Sequence, residues 1–347
     1  MLRIAPQPLP EPMAATEPAE ERGTGRDDVR LMVSRPGSSP DHRRFDDLPS
    51  LLAPGDALVV NTSATLPAAL EAVTADGRAI RLHLSTPIPG GLWVVEPRQP
   101  NGVGSAPLLG ESVGDRLLLP GGAEARLLAP HPVWAYPTRL WTAALDIPEP
   151  LLEYLDRHGF PIRYSHATGE WPIAAYQTVF AAVPGSAEMP SAGRPFTHEI
   201  VSRLVNRGVI VVPLVLHTGV SSLEAQEPPQ AEWFEVPAAT ARAINAVREG
   251  GGRVVAVGTT VVRALESVAD DAGMAHPGKG WTDLVVHPDR GVRLVQGLLT
   301  GWHEPGSSHL DLLEAVAGRD LVEVSYREAI EHRYLWHEFG DVNLLLP

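Results

Sequence analysis

The sequence predicts a two-domain chain, an α/β domain interrupted by an inserted small β-barrel. Three observations lead there. Strand-loop-helix units lie on both sides of residues 67–150, short turn-punctuated strands fill that segment, and 347 residues exceed one small core. The resulting division is a flexible arm over 1–26, a discontinuous α/β domain from 27–66 and 151–347, and the barrel over 67–150.

The arm, "MLRIAPQPLPEPMAATEPAEERGTG", is rich in proline and acids and lacks the apolar stretch of a secretory signal. "DVRLMVS" and "ALVVN" then read as strands. In the inserted segment "DGRAIRLHLST" follows an Asp-Gly turn, setting Ile80, Leu82 and Leu84 inward and Arg81 and His83 outward. "GLWVVEP", "DRLLLP", "AEARLLAP" and "TRLWTAA" continue without a helical period, as in a small all-β barrel. Helices return with "PEPLLEYLDRHG", stopped by Gly159. In "THEIVSRLVNRG" Thr197 is the cap and Ile200, Val201, Leu204 and Val205 form one face. "VIVVPLVLHTG" is a buried strand ending at His217. "RVVAVGTTVVRALES" passes from strand through Gly258 into a helix that buries Val261, Leu265 and Val268. "VRLVQGLLTGWHEPGSSHLDLLEAVAG" repeats the unit, with Ser308 and Asp311 as a capping box and Leu310, Leu313 and Val316 as its apolar stripe. A loop and a terminal strand end the chain in "YLWHEFGDVNLLLP".

Composition narrows the chemistry. With 44% hydrophobic and 20% charged residues the chain reads as soluble and globular, and it lacks the run of about 18 apolar residues that a span requires. A cytoplasmic location is the default expectation. Cysteine is absent, which removes thiolate nucleophiles, disulfides, cysteine-bound zinc and iron–sulfur clusters. Lys279 is the single lysine, in "HPGKGW", a stretch resembling an exposed loop, so no Schiff-base mechanism is expected. The net charge of -14 opposes general nucleic-acid affinity and confines any RNA contact to a local arginine patch. "GMAHPGKG" has the skeleton of a phosphate loop but places Gly280 where Ser or Thr is required. Metal ligation by His303, Glu304 and His309 yields to a structural reading of that turn, so no metal is expected.

Convergence is the stronger signal. If the strands ending near His217, Gly258 and Thr300 run parallel, their C-terminal ends bring His217, Thr259, Thr260, His303 and Glu304 to one rim. Singly, Thr259 or Thr260 reads as a helix cap, Arg263 and Glu266 as an exposed i,i+3 pair, and each histidine as structural. Together on one edge they read as a ligand site.

Several segments also occur in a familiar order: "FDDLPSLLAPGDALVVN", "YQTVFA", "PSAGRPFT", "AVGTTVVRALES", "TGWHEPGSSHLDLLEAVAG", "YREAIEHRY" and the final "FGD". From about Asp27 to the C-terminus the chain resembles the S-adenosylmethionine:tRNA ribosyltransferase-isomerase family of queuosine biosynthesis. The resemblance implies an α/β domain carrying an inserted barrel, with S-adenosylmethionine as ribosyl donor rather than methyl donor. The implied acceptor is the aminomethyl group of a 7-deazaguanine base in tRNA; adenine and methionine leave, and the ribose becomes an epoxycyclopentane. That chemistry needs a base beside the sulfonium and an acid for adenine. His303, in "TGWHEP", and His217, in "LHTG", match family histidines and are the acid/base candidates. Arg263 and Glu266 match positions that could hold the methionine carboxylate and a ribose hydroxyl or ammonium. Thr259, Thr260, Asn61, Tyr176, Gln177, Glu232 and Asp341 complete the implied substrate-binding set.

The chain departs from the family pattern in places. Thr62, Ala64 and Ala69 stand where the family has an Asp and two Arg, Pro195 replaces a His, and the stretch leading to Glu232 lacks two histidines. "VSSL" replaces the residues after the family's "L-H-V-G". Fewer arginines weaken phosphate binding at those positions. Two alternatives therefore stand beside the family reaction. One is an enzyme of this fold acting from S-adenosylmethionine on a small molecule without tRNA; the other is a non-catalytic nucleoside-binding protein. Oligomeric state is not readable from the sequence.

Overall fold

The computed structural model describes residues 13–132, 138–164, 166, 168–221, 230–304 and 308–347. Its larger sheet has nine strands. Four neighbours at its centre, Ile210–Leu216, Ala57–Asn61, Val254–Val257 and Gly297–Gly301, run parallel. Parallel strands covered on both faces should be apolar throughout, and these are. Val59, Leu214, Ala256 and Leu298 point into one core with the helices Thr259–Val268, Ser308–Ala317 and Arg319–Glu331. Leu58, Val60, Val255, Val257 and Leu299 alternate into a second core with the helix His198–Asn206. The result is a three-layer α/β/α arrangement. The terminal strand Val342–Leu345 joins antiparallel to Gly297–Gly301 and leads to Arg30–Ser34 and Asp41–Arg44 at one edge.

Between the third strand of that sheet in chain order, Ala57–Asn61, and the fourth, Ile210–Leu216, the chain builds the barrel. Ala69–Thr74, Ala79–Ile88, Leu92–Asn101, Trp141–Asp146, Glu124–Pro130 and Arg116–Leu118 pair antiparallel in a closed ring. Closure leaves no free edge among those strands, and Gly104–Pro107 adds a hairpin arm outside the ring. Leu70, Ile80, Leu82, Leu84, Val95 and Leu127 fill its interior, and the helix Leu151–His158 contributes Tyr154 and Leu155 to the same core.

Several sequence expectations change on contact with the fold. His83 does not face solvent; it is 1% exposed, because the outer face of its strand is covered where the barrel meets the α/β domain. "GKGWT", read as part of a loop, is the edge strand Gly278–Thr282, with Lys279 exposed on it. Its glycines hide the strand signal; continuous pairing with Glu232–Val236 supplies the order instead. Val205 lies on the exposed side of its helix, whereas Thr197 accepts from Ile200 N as a cap. The loop at Pro305–Ser307 and the predicted Ser308 cap fall outside the described residues.

The N-terminal arm also differs. Residues 1–12 lie outside the described part, but from Met13 onward the segment is docked. Ala15 N donates to Trp336 O at 3.0 Å and Trp336 N to Met13 O at 2.8 Å. The helix Ala19–Arg22 places Glu20 against Arg194, whose Nη2 donates to both carboxylate oxygens at 2.8 and 2.9 Å. Arg194 is 2% exposed, so its charge depends on that partner. Glu20→Ala is therefore expected to cost about 1–3 kcal/mol in urea unfolding, while Glu21→Ala, at an exposed position of the same helix, stays within about 0.5 kcal/mol. Equal, small losses in the two variants would show that the arm is not held by this pair.

Candidate active site

The C-terminal ends of the four parallel strands open into a cavity of about 650 Å³ facing the barrel. Its floor is the rim carrying Thr259, Thr260, Thr300 and His303; Arg98 and Ser105 come from the barrel; Tyr164, His166 and Glu188 come from the chain returning from it. A cleft at strand ends between two domains is where α/β folds commonly hold ligands.

The rim is shaped by Gly258. Its φ of 90° ends the strand Val254–Val257 and starts the helix at once, and its N–H donates to Leu299 O. Neither threonine caps the helix: Gly258 is the N-cap, with no side-chain cap bond. Thr259 and Thr260 instead sit in the first turn and line the cavity, with the positive end of the helix dipole behind them.

Arg263, one turn further along, is 7% exposed and does not pair with Glu266. Its Nη1 donates to Glu232, its Nε to Leu284 O at 3.1 Å, and its Nη2 to Gln230 O and Thr282 O at 3.0 and 3.1 Å. Glu232 also accepts from Gly219 N at 2.9 Å. Loss of hydration raises the Glu232 carboxyl above its ordinary range, only partly offset by Arg263.

Histidines divide into two kinds here. His303 places Nε2 3.1 Å from Thr300 Oγ1, and its ring stacks on His309 at 4.3 Å with planes 5° apart. Loss of hydration, reinforced by His309 and His337, holds His303 well below the usual imidazole range. The same dehydration brings His309 to about 4, helped by Arg263, and His337 to about 4, helped by His166. His166 goes the other way. Dehydration opposes its charge, but Glu338, hydrogen-bonded at 2.8 Å, raises it above the ordinary value. Burial would raise Glu338, yet the bond and charge of His166 lower it. The cavity thus sets neutral imidazoles beside one that favours its proton.

Opposite them Glu188 accepts from Tyr164 Oη and Ser221 Oγ, and from Ser221 N at 2.8 Å. Dehydration still leaves its carboxyl above the usual range. Thr65 Oγ1, Gln230 Nε2 and Trp302 Nε1 are buried polar atoms of cavity-lining residues with no partner among the described residues. Such atoms call for a ligand or water to satisfy them.

Of the residues singled out by sequence, Thr259, Thr260, Arg263, Glu232, Tyr176, His303 and Glu304 line this cavity. The others are engaged elsewhere. His217 turns from the cleft, with Nδ1 2.7 Å from Ser63 Oγ and its ring stacked on Trp233. Asn61 bridges strands, donating to Leu216 O and accepting from Ser63 N and Leu216 N. Gln177 pairs with both backbone groups of Thr65. Glu266 accepts from the backbone amides of Arg293, Leu294 and Val295 and pairs with Arg290. Asp341 holds Arg30 and Leu335 N. Sequence reasoning missed Glu188, His166, His337 and Glu338. "YSHATGEW" carries no motif, and only the fold brings it against "HEFGD".

Comparison with known proteins fits this geometry. The model of the queuosine biosynthesis protein family matches residues 7–345. The S-adenosylmethionine:tRNA ribosyltransferase-isomerase of Symbiobacterium thermophilum is 38% identical over 97% of both chains. That of Gloeobacter violaceus is 36% identical, covering 98% of this chain and 94% of the relative. The crystal structure of S-adenosylmethionine tRNA ribosyltransferase from Thermotoga maritima superposes with a TM-score of 0.52, at 30% identity over 97% of both chains.

The imidazole environments make stability depend on pH. His309 and His337 have folded-state values near 4 against 6.5 when hydrated, so the unfolded chain takes up their protons first. Their contribution is present above pH 6.5 and is lost as pH falls toward 4. Glu338, being lowered, loses its contribution only below its ordinary 4.5, and His166, being raised, contributes fully below 6.5. Between pH 6.5 and 4.5 the His309 and His337 imidazoles therefore lower the urea unfolding free energy as pH falls, against the opposite pull of the raised Glu188 and Glu232 carboxyls, and His309→Gln should make that free energy fall less over the window than in the parent. An unchanged slope in the variant would mean that His309 is not held neutral.

Proposed function

Because the chain belongs to the queuosine biosynthesis protein family, we propose that it is an S-adenosylmethionine:tRNA ribosyltransferase-isomerase that works in this cleft. The observation that carries the reading is the pairing, at one strand-end cavity, of an imidazole poised neutral with one poised protonated. Groups pushed apart in this way mark base and acid.

S-adenosylmethionine is the donor substrate, and the volume suits a ligand of its size. The helix N-terminus at Thr259 and Thr260 is the place for the methionine carboxylate, since exposed amides and the helix dipole favour an anion. Arg263 has its guanidinium engaged by Glu232 and three carbonyls, so it positions the floor rather than clamping the carboxylate. Thr65, Gln230 and Trp302 offer polar atoms to the nucleoside. His303, neutral at working pH, removes the proton from the carbon beside the sulfonium. His166, held protonated by Glu338, gives a proton to departing adenine. The acceptor is the aminomethyl group of a 7-deazaguanine base in tRNA, entering between the barrel and the rim. An overall charge of -14 leaves tRNA to a restricted arginine surface, and a cytoplasmic location goes with that substrate.

The test uses purified protein, S-adenosylmethionine and precursor-bearing tRNA. Adenine and methionine should appear together and only when the tRNA is present. His303→Gln should lower turnover by about 10²–10⁴-fold with S-adenosylmethionine affinity retained. In the parent protein kcat should fall on the alkaline side above pH 6.5, as His166 loses its proton, and His166→Gln should abolish that limb. Adenine release without tRNA would overturn the acceptor. Near-parental turnover in His303→Gln would remove the base.

A further inference from the structure

On the far edge of the large sheet, away from the cleft, three ligand-bearing side chains converge. His42 belongs to the strand Asp41–Arg44, Glu328 to the helix Arg319–Glu331, and His332 follows directly after that helix, one turn from Glu328. His42 Nε2 lies 3.7 Å and His332 Nε2 3.4 Å from the same carboxylate oxygen, Glu328 Oε2. The two imidazole centroids are 4.2 Å apart. We propose that His42, Glu328 and His332 form a binding site for one divalent transition-metal ion, with zinc the best fit.

The geometry matches the ion. Zinc–nitrogen and zinc–oxygen bonds of about 2.1 Å in a tetrahedron set the donor atoms about 3.4 Å apart. Both separations from Glu328 Oε2 are within a few tenths of that value. The donor set is two imidazoles and a carboxylate, which favours zinc and its neighbours over calcium or magnesium. The chain has no cysteine to compete for the metal. His42 is also oriented from behind: its Nδ1 lies 2.8 Å from Tyr334 Oη. With Nδ1–H donating to that oxygen, Nε2 presents its lone pair toward Glu328, the arrangement that metal-bound histidines adopt.

Nearby cations do not cancel the site. Arg30, Arg43 and Arg44, which line the groove beside His42 and His332, are paired with Asp341, Asp41 and Asp28 respectively. Side-chain exposures of 36%, 30% and 50% for His42, Glu328 and His332 leave a route for the ion and room for a water as fourth ligand. The site shares no residue with the lining of the cleft. An ion there would clip the edge strand to the end of the helix; its role is to stabilise, and it takes no part in turnover.

The test titrates tag-free, full-length protein with Zn²⁺ by calorimetry and with Co²⁺ by visible absorption. One ion per chain should bind saturably, with the intense visible bands of four-coordinate cobalt. His42→Ala and His332→Ala should each weaken it by about tenfold or more. Zinc should raise the thermal unfolding midpoint of the parent and leave that of the variants unmoved. Glu328→Gln, which keeps the side-chain shape, is the companion variant should either alanine change disturb folding. The proposal is overturned if no saturable binding occurs, leaving only histidine–carboxylate ion pairs. It is equally overturned if binding survives in the His42→Ala/His332→Ala double variant, which would put the metal on others of the 13 histidines.

Discussion

The guanidinium of Arg263 leaves the first turns of its helix and is shared among Glu232, Gln230 O, Thr282 O and Leu284 O. It thereby ties the rim helix to both antiparallel edge strands, and through Glu232 to the amide of Gly219 in the loop beyond the strand Ile210–Leu216. A cation at 7% exposure is tolerable only because its donors are met this fully. The same charge disfavours protonation of His309, which stacks on His303. The floor geometry thus follows from one engaged arginine, which adds to the dehydration that keeps His309 neutral.

A second polar joint attaches the barrel. Arg98 donates to Glu96 at 2.6 Å and to Ser105, Arg139 reaches Glu96 at 3.0 Å, and the Arg98 guanidinium lies over the Tyr164 ring. Buried ion pairs contribute little net stability, but removing one member strands the others, so such a cluster fixes register more than it adds energy. Here the cluster borders the cleft, whose lining includes Arg98, Ser105 and Tyr164. Ser221, in the loop beyond the strand Ile210–Leu216, supplies two of the bonds that hold Glu188.

Local pattern was enough for much of the architecture. Alternating Ile80, Leu82 and Leu84, the apolar runs at 57–61 and 254–257, and the Thr197 cap are decided by neighbours a few residues away. What was not readable depends on distant contacts. Gly278–Thr282 becomes a strand only by pairing, and His83 is buried only because another domain covers it. The site divides along the same line. Thr259, Thr260 and His303 follow from strand ends and could be placed. Asn61, Glu266 and Asp341 look like ligand residues in sequence but spend their polar atoms on backbone, a use that no spacing discloses. His166 and Glu338 meet across 172 positions of chain.

On the function proposed above, S-adenosylmethionine reacts in the strand-end cleft between rim and barrel. The most direct measurement is a crystal structure of the protein with S-adenosylmethionine or its demethylated analogue. The amino-acid end should lie at the helix N-terminus, in contact with Thr259 or Thr260, with the sulfur-bearing carbon within about 4 Å of the His303 ring. Ligand density outside this cleft, or a ligand whose sulfur lies away from His303, would contradict it.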